Sequence, residues 1–209
     1  MPTDLPELIV TDAGEWRCWL EDFGAESTGV WLVLAKKGTT VPTSVTYDEA
    51  LDEALCQGWI DGQVGRRDTT TYRQRFTPRR PRGAWSQRNT EHIRRLSAEG
   101  RMRPAGIQAV ESAQADGRWE AAYAGAATIQ IPDDLAAALE AEPAALAFFE
   151  RLDGTNRYAV LYRLATAKRA ETRSRRLEQF VQMLARGEAF YPLRDRRGST
   201  SSQSGSEPR

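Results

Sequence analysis

Arginine dominates residues 61–103, where twelve basic residues stand against four acidic ones and every basic residue is an arginine. Arg73 and Arg75 alternate along a predicted strand, so they share one of its faces. Three more arginines follow in a segment that contains two prolines: Arg79, Arg80 and Arg82. A planar guanidinium binds carboxylate or phosphate through paired hydrogen bonds. The pattern therefore predicts an anion-binding surface.

A second basic segment spans residues 156–186 and has a net charge of +6. One face of a predicted helix carries Lys168, Thr172, Arg175 and Arg176, and Arg169 and Arg173 lie beside that face. If the two segments face each other, they form a cleft flanked by Trp59 and Trp85. A helix beginning at Ser86 adds free N–H groups that favour anions. The candidate ligand-binding residues are Trp59, Asp61, Arg75, Arg79, Arg80, Trp85, Ser86, Asn89, Lys168, Arg169, Thr172, Arg173 and Arg176.

Two other interpretations of the basic segments stay open. Residues 1–60 carry a net charge of −8 and residues 104–155 a net charge of −7, so the arginines could pair with these acids in an interdomain seam. Arginine together with tryptophan and tyrosine also suits nucleic acid, through phosphate contacts and base stacking. The zero net charge and the pI of about 6.6 count against nucleic acid.

The residues that could catalyse a reaction are few, and we assign no catalytic residue. Cys56 lies near a predicted helix end, where core packing is the favoured role, and His92 is the single histidine. Asp61 precedes a glycine, so it forms a turn or, alternatively, acts as general base on a phosphate- or carboxylate-bearing metabolite. No nucleotide-binding glycine motif and no Cys/His zinc pattern is present, so no cofactor and no metal is predicted.

The elements that position these residues are predicted from caps and periodicity. Helices begin at Asp12 and Thr46, each with a glutamate three residues later. The apolar run Gly29–Ala35 is typical of a buried strand. Asp61 and Gly62 indicate a hairpin turn, and Thr70–Phe76 alternates as a strand. The first part of the chain is therefore predicted as a small sheet flanked by helices.

Helices dominate the remainder of the chain. We predict helices over 86–99 and 104–116, a connector over 117–130, helices beginning at Pro132 and Pro143, and one long helix over 156–186. The fold class is α+β, with an N-terminal α+β domain over 1–125 and a C-terminal helical domain over 126–192. Residues 193–209 have nothing to bury and are predicted to be a disordered tail.

The chain shows no pattern for export or for insertion into a membrane. Its first residues lack a basic segment followed by an apolar one, and its mean hydropathy is −0.59. No apolar run approaches the roughly 20 residues that span a bilayer. We therefore expect a cytoplasmic protein; its oligomeric state stays open.

Several motifs resemble those of the bacterial YdeI/OmpD-associated family, often described as bacteriocin-protection proteins. The resemblance is carried by the segments 54–62, 75–81, 85–89, 100–106, 117–119, 131–133 and 167–176. It implies a role in stress or bacteriocin resistance but no reaction. Together with the arginine pattern, it suggests a non-enzymatic bacterial resistance protein that binds an anionic small molecule or peptide terminus.

Overall fold

The computed structural model describes residues 5–167 and 169–193 and confirms the α+β class. The chain divides into two compact units, Met1–Tyr123 and Ala124–Arg209, here called the N-terminal and C-terminal units. The sequence placed this division after residue 125. Most of the predicted tail, residues 194–209, lies outside the described residues.

The N-terminal unit contains a four-stranded sheet in the order β1-β2-β4-β3. Its strands are β1 (Glu7–Leu8), β2 (Val30–Ala35), β3 (Trp59–Arg66) and β4 (Thr71–Pro78). β1 pairs with β2 in parallel, and the other two pairings are antiparallel. The four helices of this unit are α1 (Ala13–Phe23), α2 (Tyr47–Cys56), α3 (Gln87–Ala98) and α4 (Pro104–Ala115).

Side-chain caps begin three of these helices, as the sequence predicts. The Asp12 carboxylate accepts from Glu15 N at the start of α1, and Ser86 Oγ accepts from Asn89 N at the start of α3. Thr46 and Glu49 form a complete capping box at α2. Each cap satisfies a backbone donor that the first helical turn leaves without a partner.

The hydrophobic core of the N-terminal unit consists of two clusters. One lies between the sheet and helices α1 and α2, and it contains Trp16, Trp59 and Phe76. The other joins α2, α3 and α4, and it contains Leu55, Trp85 and Leu96. The segment between β4 and α3 therefore begins at one cluster and ends at the other.

One predicted turn is wrong, because Asp61 and Gly62 lie inside β3. The pairing of β3 with β4 shifts register at a bulge between Asp61 and Val64, and the chain reverses direction after Arg66 instead. Gly62 faces the stem of Arg75 on β4, since a Cβ built there lies 3.6 Å from the Arg75 side chain. Cross-strand pairing has overridden the local turn preference.

The C-terminal unit is helical, with α5 (Asp133–Glu140), α6 (Pro143–Arg151), α7 (Gly154–Ala165) and α8 (Ala170–Ala185). Its core contains Leu139, Phe149, Leu164 and Leu184. The predicted single helix over 156–186 is wrong, because α7 ends at Ala165 and α8 begins at Ala170. The same inward spacing recurs in both helices, so periodicity alone did not reveal the break.

No helix in residues 5–167 and 169–193 is long and apolar enough to cross a membrane.

Candidate functional site

A cavity of about 500 Å³ opens in the N-terminal unit and contains four of the predicted site residues. We call it the arginine cavity. Its walls come from α1, the end of α2, the start of β3, the end of β4 and one face of α4. The predicted residues in it are Trp59, Arg79, Arg80 and Trp85.

Arg79 lies against Trp85 in this cavity. Its Cζ is 3.5 Å from the centroid of the Trp85 ring, and Trp85 is only 2% exposed. Trp119 packs on the same tryptophan with a ring separation of 5.1 Å. The backbone holds the start of the segment, because Arg79 N donates to Gly58 O at 3.0 Å. The guanidinium is thus positioned by a rigid aromatic surface.

The Arg79 side chain is half-buried, and its guanidinium is enclosed at Nε and Nη2. Among the described residues, its Nε and Nη2 are closed to water and have no hydrogen-bond partner, and no carboxylate forms an ion pair with it. Burial lowers the pKa of Arg79 to about 10, although attraction from Tyr123 and Asp61 partly opposes this effect. A buried charge is normally paired, so an unpaired one points to a binding site.

The other charged groups in the arginine cavity are mostly neutralised. Arg118 pairs with Asp116 at 2.7 Å, and Glu21 pairs with Arg103 at 2.9 Å. Arg80 is exposed and has no acidic partner within the described part of the chain. Two uncompensated positive charges, from Arg79 and Arg80, therefore remain.

The floor of the arginine cavity depends on a close approach of α4 to the end of α2. Gly58 has a φ of +74°, and a Cβ there would lie 2.9 Å from Ala105 O. A Cβ on Gly106 would overlap the Cys56 carbonyl, and Arg103 N donates to that same carbonyl at 3.0 Å. Glycine at both positions lets the two backbones meet.

Sequence reasoning missed the contribution of α4 and of Arg118 to these walls. The α4 residues that line the cavity lie at i, i+3, i+4 and i+7: Ala105, Gln108, Ala109 and Ser112. That spacing, with three small side chains, was the available signal of a helix face beside a cavity. Arg118 had no local signal, since it falls in the predicted connector.

Asp61, Ser86 and Asn89 line a different, smaller cavity of about 230 Å³, which we call the tyrosine cavity. Tyr47 donates its hydroxyl to Asp61 Oδ2 at 2.8 Å, and burial of Tyr47 raises its pKa. Ser86 Oγ is engaged as the α3 cap. The predicted set is thus divided between two cavities of the same unit.

Arg75 lies on a third surface, which we call the sheet face and define by Trp31, Arg73 and Arg75. Arg73 and Arg75 alternate with Gln74 and Phe76, which are buried beneath the helices. The Arg73 Cζ is 4.9 Å from the Trp31 ring centroid, and its stem crosses Gly65. The basic segment 73–82 therefore supplies two separate surfaces.

The predicted residues in the C-terminal unit have mixed environments. Arg173 binds Asp134 through Nε and Nη2 at 2.7 and 2.8 Å, and this ion pair lowers the pKa of Asp134. The Nη1 of Arg173 donates to Leu164 O. Arg176 donates to Arg163 O at 2.7 Å. These two arginines tie the end of α7 to α8. Arg169 is exposed, Thr172 is half-buried, and Lys168 lies outside the described residues.

The structure also shows the surroundings of Cys56 and His92. Cys56 is buried in the helical cluster, and burial raises the pKa of its thiol to about 11. His92 Nδ1 lies 2.9 Å from Asp52 Oδ1, which also binds Arg95. Over the described ranges, no group of three or more acidic, histidine or cysteine side chains could hold a metal ion.

Comparison with known families places the two units in different groups. Residues 8–109 match a domain of unknown function, and residues 128–187 match the family described as Bacteriocin-protection, YdeI or OmpD-Associated. Comparisons with curated proteins and with solved structures gave no match. The resemblance inferred from the motifs is thus confirmed for the C-terminal unit.

Proposed function

We propose that this protein is a non-enzymatic bacterial stress or bacteriocin-resistance protein, cytoplasmic, whose N-terminal unit binds a small anion in the arginine cavity. The single observation that carries the proposal is Arg79, whose enclosed guanidinium pairs with no carboxylate of the described residues and lies on the wall of a cavity of about 500 Å³. A cavity of this size suits a small molecule.

Electrostatics supports a ligand of negative charge. Burying the Arg79 guanidinium removes water from it, and no described carboxylate offsets that loss. An anion that enters the cavity would supply the missing attraction, strengthened by the low local dielectric constant. Trp85 holds the guanidinium plane in advance, so little rotamer entropy is lost on binding.

The nature of the charged groups favours binding over proton transfer. With a pKa of about 10, Arg79 stays protonated at neutral pH. Such a group attracts an anion but does not exchange protons near pH 7, as a general acid or base must. Asp61, the candidate base, lines the tyrosine cavity and not the arginine cavity.

The resistance role comes from the C-terminal unit, through the description of its family. In this proposal the N-terminal unit senses or sequesters the anion, and the family domain links that binding to protection. No helix of the described residues could span a bilayer, in keeping with a role away from the membrane interior.

Ligand binding can be tested by thermal shift against a panel of carboxylates and phosphates, because a ligand that binds only the folded state raises the melting temperature. All six tryptophans lie in the N-terminal unit, so their fluorescence reports on that unit. We expect at least one anion to stabilise the wild type and the Arg82→Met control but not Arg79→Met. Arg82 is an exposed arginine of the same segment that does not line the cavity. No stabilisation by any anion, or equal stabilisation of Arg79→Met, would refute the proposal.

Single-stranded nucleic acid is a second candidate ligand, favoured by the sheet face. The Arg73 side chain is 42% exposed and lies beside Trp31, and Arg75 Nε has no partner among the described residues. Arginine with an aromatic ring on a sheet suits stacked bases and phosphates. The test is binding of a short oligonucleotide over a salt series. Binding that weakens steeply with salt and is lost in Arg73→Met supports this candidate; no binding at about 50 mM salt rules it out.

A further inference from the structure

We infer that the ligand of the arginine cavity is a small carboxylate with an aromatic or apolar body, held side-on by Nε and Nη2 of Arg79. This inference rests on the proposed function and adds the chemical class of the ligand. It follows from the geometry of the other arginines in this chain, from the walls of the cavity and from the turn beside Arg79.

Three arginines of this protein bind carboxylates through the same pair of nitrogens. Arg17 holds Glu53 at 2.9 and 2.9 Å, Arg173 holds Asp134 at 2.7 and 2.8 Å, and Arg186 holds Glu188 at 3.0 and 3.0 Å. Nε and Nη2 lie on one edge of the planar guanidinium, and their parallel N–H bonds match the two oxygens of a carboxylate.

In Arg79 this same pair of nitrogens is buried and has no acceptor among the described residues. A carboxylate placed there would form two charge-assisted hydrogen bonds and displace no existing hydrogen bond of these two nitrogens. Trp85 covers one face of the guanidinium at 3.5 Å, and the edge formed by Nε and Nη2 lies beside that face. A planar acceptor fits an edge better than a tetrahedral one that needs donors from several directions.

The walls of the arginine cavity indicate the body of the ligand. Trp59 and Trp85 come from the two core clusters, and Leu20, Pro78 and Pro81 add apolar surface. These side chains bury an aromatic or aliphatic group, while Gln57, Gln108 and Ser112 add polar groups at separate points. An amphipathic acid satisfies both parts of this lining.

In this inference, a surface turn beside Arg79 is the entrance through which the ligand reaches the guanidinium. Gly83 N donates to Arg80 O at 2.9 Å, which closes a turn whose residues Arg80, Pro81 and Arg82 are exposed. Arg118 Nη1 holds the turn through Gly83 O at 3.2 Å. Since Nε and Nη2 of Arg79 are closed to water, binding as inferred requires this turn to move outward before a ligand can reach them.

The test compares two probes that share a phenyl ring, phenylacetate and phenyl phosphate, with benzyl alcohol as the neutral control. Binding to the full-length protein is followed by tryptophan fluorescence and calorimetry in the wild type, Arg79→Lys and Arg79→Met. Lysine keeps the positive charge but replaces the planar edge by a point charge. The Nε–H nuclear magnetic resonance signal of Arg79, identified by its loss in Arg79→Lys, reports directly on the edge.

We expect phenylacetate to bind the wild type more tightly than phenyl phosphate and to shift the Arg79 Nε–H signal. Arg79→Lys should weaken phenylacetate binding by about tenfold or more, as loss of a charge-assisted hydrogen bond does, and phenyl phosphate binding by less. If phenyl phosphate binds more tightly, or if Arg79→Lys keeps full phenylacetate affinity, the carboxylate inference is wrong while anion binding stands. If neither probe nor any other anion binds the wild type, the proposed function itself fails.

Discussion

Replacement of Arg79 by methionine should make the N-terminal unit more stable while it removes the anion site. Methionine keeps much of the apolar stem that packs on Trp85 but removes the buried charge. Most substitutions of buried residues destabilise a protein, so a gain in stability is a distinctive outcome. We expect a gain in stability on substitution of a ligand-binding residue when that residue destabilises the unliganded protein.

The magnitude follows from the pKa of Arg79 and from its contact with Trp85. Burial lowers this pKa to about 10. This lowering of the pKa, from 12.5 to about 10 at about 1.4 kcal/mol per unit, corresponds to a cost of about 3.5 kcal/mol. The guanidinium lies 3.5 Å from the Trp85 ring centroid. That contact offsets about 1–2 kcal/mol of the cost, which leaves a net gain of about 1.5–2.5 kcal/mol for Arg79→Met.

The pH dependence has a definite sign. Because the folded-state pKa is lowered, the folded protein binds fewer protons than the unfolded chain once the pH rises through about 10. Stability therefore increases above that pH, and the full cost of the charge applies at pH 7. The comparison of Arg79→Met with the wild type is best made at pH 7.

Urea unfolding followed by tryptophan fluorescence measures this effect in the N-terminal unit alone, since all six tryptophans lie there. The matched control is Arg82→Met, which should leave the free energy of unfolding within about 0.5 kcal/mol of the wild type. At roughly 4 °C per kcal/mol, Arg79→Met should also raise the melting temperature by several degrees. A loss of more than about 1 kcal/mol in Arg79→Met, with the control unchanged, would show that Arg79 is a structural residue and refute the reasoning.

Three further predictions concern other parts of the molecule. Arg173 lowers the pKa of Asp134, so the ion pair should stabilise the C-terminal unit above about pH 4 and should lose this effect as the pH falls further. Helical circular dichroism of Asp134→Asn and of the wild type, recorded across this pH range, measures the difference in stability. Gly106→Ala should destabilise the N-terminal unit by about 1–3 kcal/mol in urea unfolding, because the new Cβ overlaps the Cys56 carbonyl. A thiol reagent should modify the exposed Cys18 in the folded protein and Cys56 only after unfolding, since burial raises the Cys56 pKa to about 11.

Each of these predictions has a control or a contrary result. Gly62→Ala is the matched glycine substitution, because its Cβ meets the Arg75 side chain at an ordinary 3.6 Å, and it should cost less than Gly106→Ala. Equal pH profiles for Asp134→Asn and the wild type would contradict the ion-pair argument. Rapid modification of Cys56 in the folded protein would show that its thiol is accessible and reactive, against the packing role assigned to it.

Elements that depend on neighbouring residues could be predicted from the sequence. The caps at Asp12, Thr46 and Ser86 form as expected, because a cap joins residues only three positions apart. The break between α7 and α8 could not be predicted. It is stabilised by Arg173 and Arg176, which reach back to carbonyls at the end of α7.

The residues of the candidate site were also predictable only in part. Trp59, Arg79 and Trp85 were predicted as partners from their residue types, and the structure places them on one cavity. The separation of Asp61 from Arg79 into the tyrosine cavity was not predictable from composition or spacing. Strand alternation places Arg75 on the other face, but the bulge in β3 and the approach of α3 depend on contacts distant in sequence.

The sequence by itself determined the α+β class, the capped helix starts at Asp12, Thr46 and Ser86, and the concentration of arginine in residues 61–103. Only the tertiary structure decided which arginines are neutralised. Arg173 and Arg118 have carboxylate partners, whereas Arg79 lies on Trp85 without one. The physical reason is that charge and hydrogen-bonding capacity belong to each residue type, while burial and pairing depend on which distant segments the fold brings together.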